Sequence, residues 1–249
     1  MRYAFFVVEG QHDIAAIGRI LRKIHGANIV EKEKDLNTFW ERIVPRKFPK
    51  DGYLLRRMPV PAFFETSEIS VAVHSAGGDT QLVNILKNTL ENLDHEQLSA
   101  IGLFCDADTK NPIDRFKTLV SQINDMSEFR TVVAPGQVTT GVPHVGIYVF
   151  PDNENFGTLE NVLLDCADVS YSSLLTSARS YIGGVDEIYR RGWGRSDESK
   201  VVVGCIANVL RPGKSNQVSI QDNDWICDST LTLPAVSILN KFIKELLEL

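Results

Sequence analysis

A chain of 249 residues with 26 Lys and Arg against 32 Asp and Glu has a formal charge of −6, which argues against coating nucleic acid by bulk electrostatics while allowing a local basic patch. Its 43% hydrophobic and 23% charged residues exclude a disordered or fibrous chain, and the length suffices to bury a substantial core. The cysteines, Cys105, Cys166, Cys205 and Cys227, show no Cys-x-x-Cys spacing and sit mostly in apolar runs, so they read as reduced core residues, not as a zinc site or disulfide framework.

Met1-Arg2-Tyr3-Ala4 leads straight into a short apolar run ending at Glu9, with neither a signal peptide nor a membrane span; the expectation is a cytoplasmic protein. Tyr3 to Val8 reads as a strand, Glu9-Gly10 as a tight loop, and Ile14, Ile17, Leu21 and Ile24 as the apolar face of a helix, together the first half of a βαβ unit. Glu9 and Asp13 span that loop and the first helical turn. Both can line the carboxyl edge of the strand; equally, Asp13 can complement the helix N-terminus while Glu9 is solvated.

Periodicity fails between Asn28 and Glu68, where Pro45, Pro49, Pro59 and Pro61 alternate with aromatic residues, and the segment reads as an irregular insertion. Between Arg42 and Arg57 it carries Arg42, Arg46, Lys47, Lys50, Arg56 and Arg57 against the single acid Asp51, a candidate surface for nucleic-acid phosphates or simply a solvated face. Ile69 to Val73 is the second core strand. Its exit loop, Ser75-Ala76-Gly77-Gly78-Asp79, precedes a helix bearing Leu82, Ile85, Leu86 and Leu90, and lacks the Gly-Lys-Ser/Thr of a P-loop.

The most informative stretch is Ala100 to Asp108, an apolar run that stops on Asp106 and Asp108. It reads as a buried parallel strand whose carboxyl end opens into a loop. Either both carboxylates face one cation or they are solvated loop acids. A helix follows from Asn111-Pro112 with Ile113, Phe116, Leu119, Val120 and Ile123 on one face. Val145 to Phe150 is a fourth core strand ending in Pro151-Asp152, and Gly157-Thr158-Leu159-Glu160 starts another helix. Arg179 to Arg195 has no clear periodicity, and Lys200 to Leu210 has both β-branched and helical character. Pro234 opens a closing helix with Val236, Leu239, Phe242, Ile243, Leu246 and Leu247 as its apolar stripe.

Glu9, Asp106 and Asp152 thus stand at strand ends, and parallel strands joined by right-handed crossovers bring such ends to one edge of a sheet. Clustered carboxylates repel unless a cation holds them, and an oxygen-only set without histidine suits Mg2+ or Mn2+.

Val8-Glu9-Gly10 and Asp106-Ala107-Asp108, with the Ser75 to Gly78 loop between them, resemble the Toprim domain of topoisomerases, primases and OLD-family nucleases. Glu9-Gly10-Gln11-His12-Asp13, Gly157-Thr158-Leu159-Glu160 and a later lysine are most similar to OLD-type and stand-alone Toprim proteins. The resemblance covers residues 3 to about 165. It implies an α/β fold of Toprim or Rossmann-like type: a central, mostly parallel four-stranded sheet flanked by helices, with the insertion at 28–68. A helical extension at 166–249 would pack on the 1–165 core as a single domain. It further implies two divalent metals held by Glu9, Asp13, Asp106, Asp108 and Glu160, with Glu9 as ligand or general base and Lys200 assisting the transition state. The implied activity is a metal-dependent phosphodiesterase on DNA or RNA. Neither the ATPase domain of OLD proteins nor the tyrosine motif of topoisomerases is present, so a non-catalytic module that binds nucleic acid or nucleotide and regulates a partner protein is the alternative. An aspartyl-phosphate mechanism fits less well, because a dehalogenase nucleophile would be an Asp at the first strand, where this chain has Glu9.

Overall fold

The computed structural model describes residues 1–45, 60–123, 126 and 132–249. At its centre β1 (Arg2–Val8) pairs in parallel with β4 (Ile69–Ser75) on one side and β5 (Leu98–Asp106) on the other, and β6 (His144–Phe150) continues in parallel beyond β5. β1 and β5 are nearly continuous apolar runs because both faces of the sheet are covered. Ala4, Phe6 and Val8 point to one face, and Phe5 and Val7 to the other.

The sheet is not four-stranded. β2 (Asn28–Val30) and β3 (Ala62–Glu65) extend it past β4 as antiparallel strands, giving a six-stranded mixed sheet in the order β2-β3-β4-β1-β5-β6. With three and four residues, these strands are too short for alternation to stand out against a proline-rich background. The 28–68 segment is therefore partly regular. Trp40, fully buried, packs near Phe63 and donates its Nε1–H to Ser70 Oγ at 2.8 Å, which fixes the segment to the sheet.

One face carries α2 (Leu82–Leu90) and α3 (Pro112–Ile123) beside Trp40. The other carries α1 (Gln11–Lys23), α4 (Leu159–Ser170), α5 (Ser172–Gly183), α6 (Asp197–Leu210) and α8 (Pro234–Leu247). The ambiguous Lys200 to Leu210 stretch is helical because Val202, Val203 and Ile206 are buried against this face, and tertiary burial overrides the weak β preference of valine. α8 lies directly on β5 and β6. A Cβ on Gly102 would come within 2.9 Å of Leu246 and one on Gly146 within 2.7 Å of Phe242, so glycine permits this approach. α7 (Asn216–Asp222) is tied to α1 by the buried Arg19, whose Nε donates to the Ile226 carbonyl at 2.9 Å, Nη1 to Gln221 O at 3.2 Å and Nη2 to Asp224 Oδ1 at 2.6 Å. No helix among the described residues is long and apolar enough to cross a membrane.

Candidate functional site

The carboxyl ends of β1 and β5 and the N-termini of α1 and α4 meet at one edge of the sheet. Glu9 directly follows β1, and its Oε1 accepts from the Asp106 backbone N–H and from Arg115 Nη2, both at 3.0 Å. Asp13, in the first turn of α1, accepts from the Gly10 N–H at 2.7 Å and is 6% exposed. It complements the helix N-terminus and also faces the cluster, whereas Glu9, held by Arg115 and the Asp106 N–H, is not the solvated acid of the second alternative. Asp106 closes β5, and its Oδ1 accepts from the Leu159 N–H at 2.9 Å, the first residue of α4. Glu160 lies one residue further on. Its Oε1 is 3.0 Å from His12 Nδ1, and its Oε2 accepts from Thr158 Oγ1 at 2.9 Å.

Burial in this crowd reorganises the acid chemistry. Desolvation pushes the Asp106 carboxyl well above the usual aspartate range, and the charges of Asp13, Glu9 and Glu160 add to it. Burial, then Glu9 and Glu160, raise Asp13 from 3.8 to about 7. Glu9 is raised by burial against the opposing pull of the Asp106 N–H and Arg115. Glu160 is also desolvated, but hydrogen bonds from His12 and Thr158 outweigh burial and hold it below its ordinary value.

Each of Glu9, Asp13 and Asp106 spends one oxygen on the scaffold. The second oxygens, Glu9 Oε2, Asp13 Oδ1 and Asp106 Oδ2, accept no hydrogen bond from the described residues. Hard oxygen donors in mutual repulsion fit Mg2+ or Mn2+ chemically. No group of three His, Cys, Asp or Glu side chains among the described residues is already drawn together as a coordination sphere, so a cation would have to be met by side-chain rotation.

The two aspartates around Ala107 part company. Asp108 adopts φ 52°, a left-handed conformation that aspartate tolerates better than most residues. Its N–H donates to Gly157 O at 2.8 Å, and its carbonyl accepts from the Gly157 N–H at 2.9 Å. This places Asp108, exposed, on the wall of a cleft of about 500 Å³ formed with Phe156, Gly157, Asn161, Arg195 and Ser199. Asp152 does not join the cluster, because its carboxylate accepts from the N–H groups of Glu154 and Asn155 and closes its own turn. Lys200 is exposed in the first turn of α6, one residue past the cleft-lining Ser199.

Arg42 is exposed beside Tyr3, Phe39 and Gln97, at the amino ends of the strands and therefore away from the carboxylates. Arg46, Lys47, Lys50, Arg56 and Arg57 lie outside the described residues.

Among solved structures, the crystal structure of hypothetical protein PH0156 from Pyrococcus horikoshii OT3 is similar to this chain with a TM-score of 0.52, covering 99% of this chain and 95% of that one at 17% identity. At that identity the likeness speaks for the α/β fold. A search of curated proteins found no match. The DUF3226 family, described as "Protein of unknown function", matches residues 3–246. The chain belongs to the DUF3226 family.

The part of this DUF3226 chain that matches the family includes all four clustered carboxylates and two neighbours that sequence reasoning missed. His12 enters the cluster through Glu160, although the oxygen-only set was expected to lack histidine. Arg115 is 5% exposed and binds Glu9 through Nη2 and Asp79 through Nη1 at 3.4 Å. The apolar face assigned to α3 holds at Phe116, Leu119 and Ile123, but Ile113, counted as core, is 51% exposed, whereas Arg115 points inward. A lone arginine at a core-facing helical position opposite a strand-end glutamate was the available signal.

Proposed function

We propose that this DUF3226 protein is a divalent-metal-dependent phosphodiesterase acting on nucleic acid. The observation that carries the proposal is the meeting of Glu9, Asp13, Asp106 and Glu160 at the carboxyl edge of parallel strands, the first three raised in pKa and each of those three with an oxygen left over. Open α/β sheets place their ligands at that edge. The resemblance to Toprim motifs supports the same assignment.

Glu9, Asp13 and Asp106 would hold Mg2+ or Mn2+, with Glu160 and the exposed Asp108 as further ligands. Such an ion, when bound, supplies Lewis-acid polarisation of a phosphoryl oxygen and a more acidic bound water. The chain's own contribution is positional. Arg115 and the Asp106 N–H hold one Glu9 oxygen, which leaves the other for a ligand or for a proton as general base. His12 keeps Glu160 ionised and oriented. Lys200, just beyond the cleft wall, would supply positive charge to the transition state.

Calorimetry with Mn2+ should show binding to the wild type and loss in Asp106→Ala, and a nucleic-acid panel should show cleavage only with metal. Equal Mn2+ affinity in both proteins would refute the metal site. A non-catalytic regulatory module is the second reading, favoured by the occupation of Glu9 by Arg115 and by the absence of a preassembled ligand triad among the described residues. Mn2+ binding without cleavage of any nucleic acid would select it.

A further inference from the structure

The cleft beside Asp108 has a wall whose chemistry the carboxylates do not use. Phe156 is 62% exposed immediately before Gly157, at the mouth of the site. Its loop is well anchored: Asn153 Oδ1 accepts from the Val149 N–H at 2.8 Å, Gly157 pairs with Asp108, and the Thr158 N–H donates to Asn161 Oδ1 at 2.8 Å. The ring is therefore presented on a braced scaffold. It is not packed into the core.

The same cleft is lined by the start of α6, with Arg195, Ser196 and Ser199. Arg195 is exposed and has no ion pair among the described residues. It ends the run Arg190-Arg191-Gly192-Trp193-Gly194-Arg195, whose three arginines are bounded by Asp186 and Glu187 before it and by Asp197 and Glu198 after it, with Asp197 accepting from the Gly194 N–H at 2.7 Å. A cleft of about 500 Å³ lies within the ~300–1,000 Å³ range of small-ligand sites. Asp108 on the same wall repels phosphate, so an anion is favoured on the Arg195 side.

We propose that this cleft is a single-strand nucleotide subsite, in which Phe156 stacks an unpaired base and Arg195, aided by the Ser196 and Ser199 hydroxyls, holds the adjoining backbone phosphate. The proposal rests on the phosphodiesterase reading and narrows its substrate to single-stranded nucleic acid or frayed ends. The selectivity is physical: a base in a duplex has both faces covered by its neighbours and offers no free π face, whereas an unpaired base stacks on an aromatic ring irrespective of sequence.

The test is fluorescence anisotropy of the full chain, in EDTA, with a labelled oligothymidine and with a duplex of mixed sequence. Phe156→Ala should weaken single-strand binding by about tenfold, Phe156→Trp should retain it, and duplex binding should not change. Arg195→Ala should flatten the log–log salt dependence by ~0.7, the increment for one phosphate on a single strand. Wild-type affinity for the single strand in Phe156→Ala, or no single-strand binding by the wild type, overturns the subsite. Metal-dependent cleavage of the single strand at the wild-type rate and affinity by Phe156→Ala would overturn it while leaving the phosphodiesterase intact. Phe156-dependent single-strand binding in a protein that cleaves nothing upholds the subsite and defeats the enzymatic reading instead.

Discussion

Asp13→Asn should stabilise the metal-free protein, and the gain should grow with pH. Asp13 is 6% exposed, its Oδ2 accepts from the Gly10 N–H at 2.7 Å, and burial with the charges of Glu9 and Glu160 raises it from 3.8 to about 7. A carboxyl raised in the folded state holds its proton more tightly there than in the unfolded chain. Stability is therefore fullest below 3.8 and falls as pH rises towards 7, above which the whole penalty applies. At about 1.36 kcal/mol for each pH unit, that displacement corresponds to ~4 kcal/mol. Asparagine has no proton to lose and its Oδ1 still accepts from Gly10, though more weakly than a carboxylate, so the net gain at pH 8 should be about 2–3 kcal/mol. Urea unfolding in EDTA at pH 4 and pH 8 measures it: near-equal stabilities at pH 4, a clear advantage for the variant at pH 8. Saturating Mn2+ should reverse the order at pH 8, because the wild type gains more from the ion. A stability difference that does not vary with pH, or a variant less stable than wild type at pH 8 in EDTA, would refute the account of a strained carboxylate cluster.

Arg115→Ala should act in the opposite sense, because it leaves the half-buried Glu9 without its counter-charge. A loss of ~3 kcal/mol is expected at pH 8 and a smaller one at pH 4, where Glu9 can take a proton; the same urea titrations measure both. Lys200→Ala should keep wild-type Mn2+ affinity while losing about a hundredfold in turnover, and single-turnover cleavage at an unchanged rate would remove Lys200 from the chemistry.

The apolar strands and the acids that end them were legible because burial on both faces writes a continuous run and a polar residue must mark where it stops. Glu9 and Asp106 announced themselves in this way, and Asp13 and Glu160 through their places in the first turns of their helices. Asp152 carried the same signal, yet its carboxylate satisfies its own turn, a local choice that strand-end position cannot reveal. The edge strands β2 and β3 were hidden by brevity, and α6 by its valines. Arg115 was hidden because a buried arginine breaks the pattern by which helical faces are read, and only the opposing Glu9 makes sense of it.

Arg19 has a mechanical consequence for the site. It sits six residues after Asp13 on the same helix, a distance of ~9 Å along the axis, and grips backbone carbonyls at Gln221 and Ile226. α1 is thus a short rod with a cluster acid at one end and the α7 segment hooked to the other. A partner or ligand that displaced α7 would drag the rod with it and shift the Asp13 carboxylate relative to Asp106, which is fixed on β5. If the proposed metal site holds, cation affinity would then depend on the placement of residues 216–226, and the reverse.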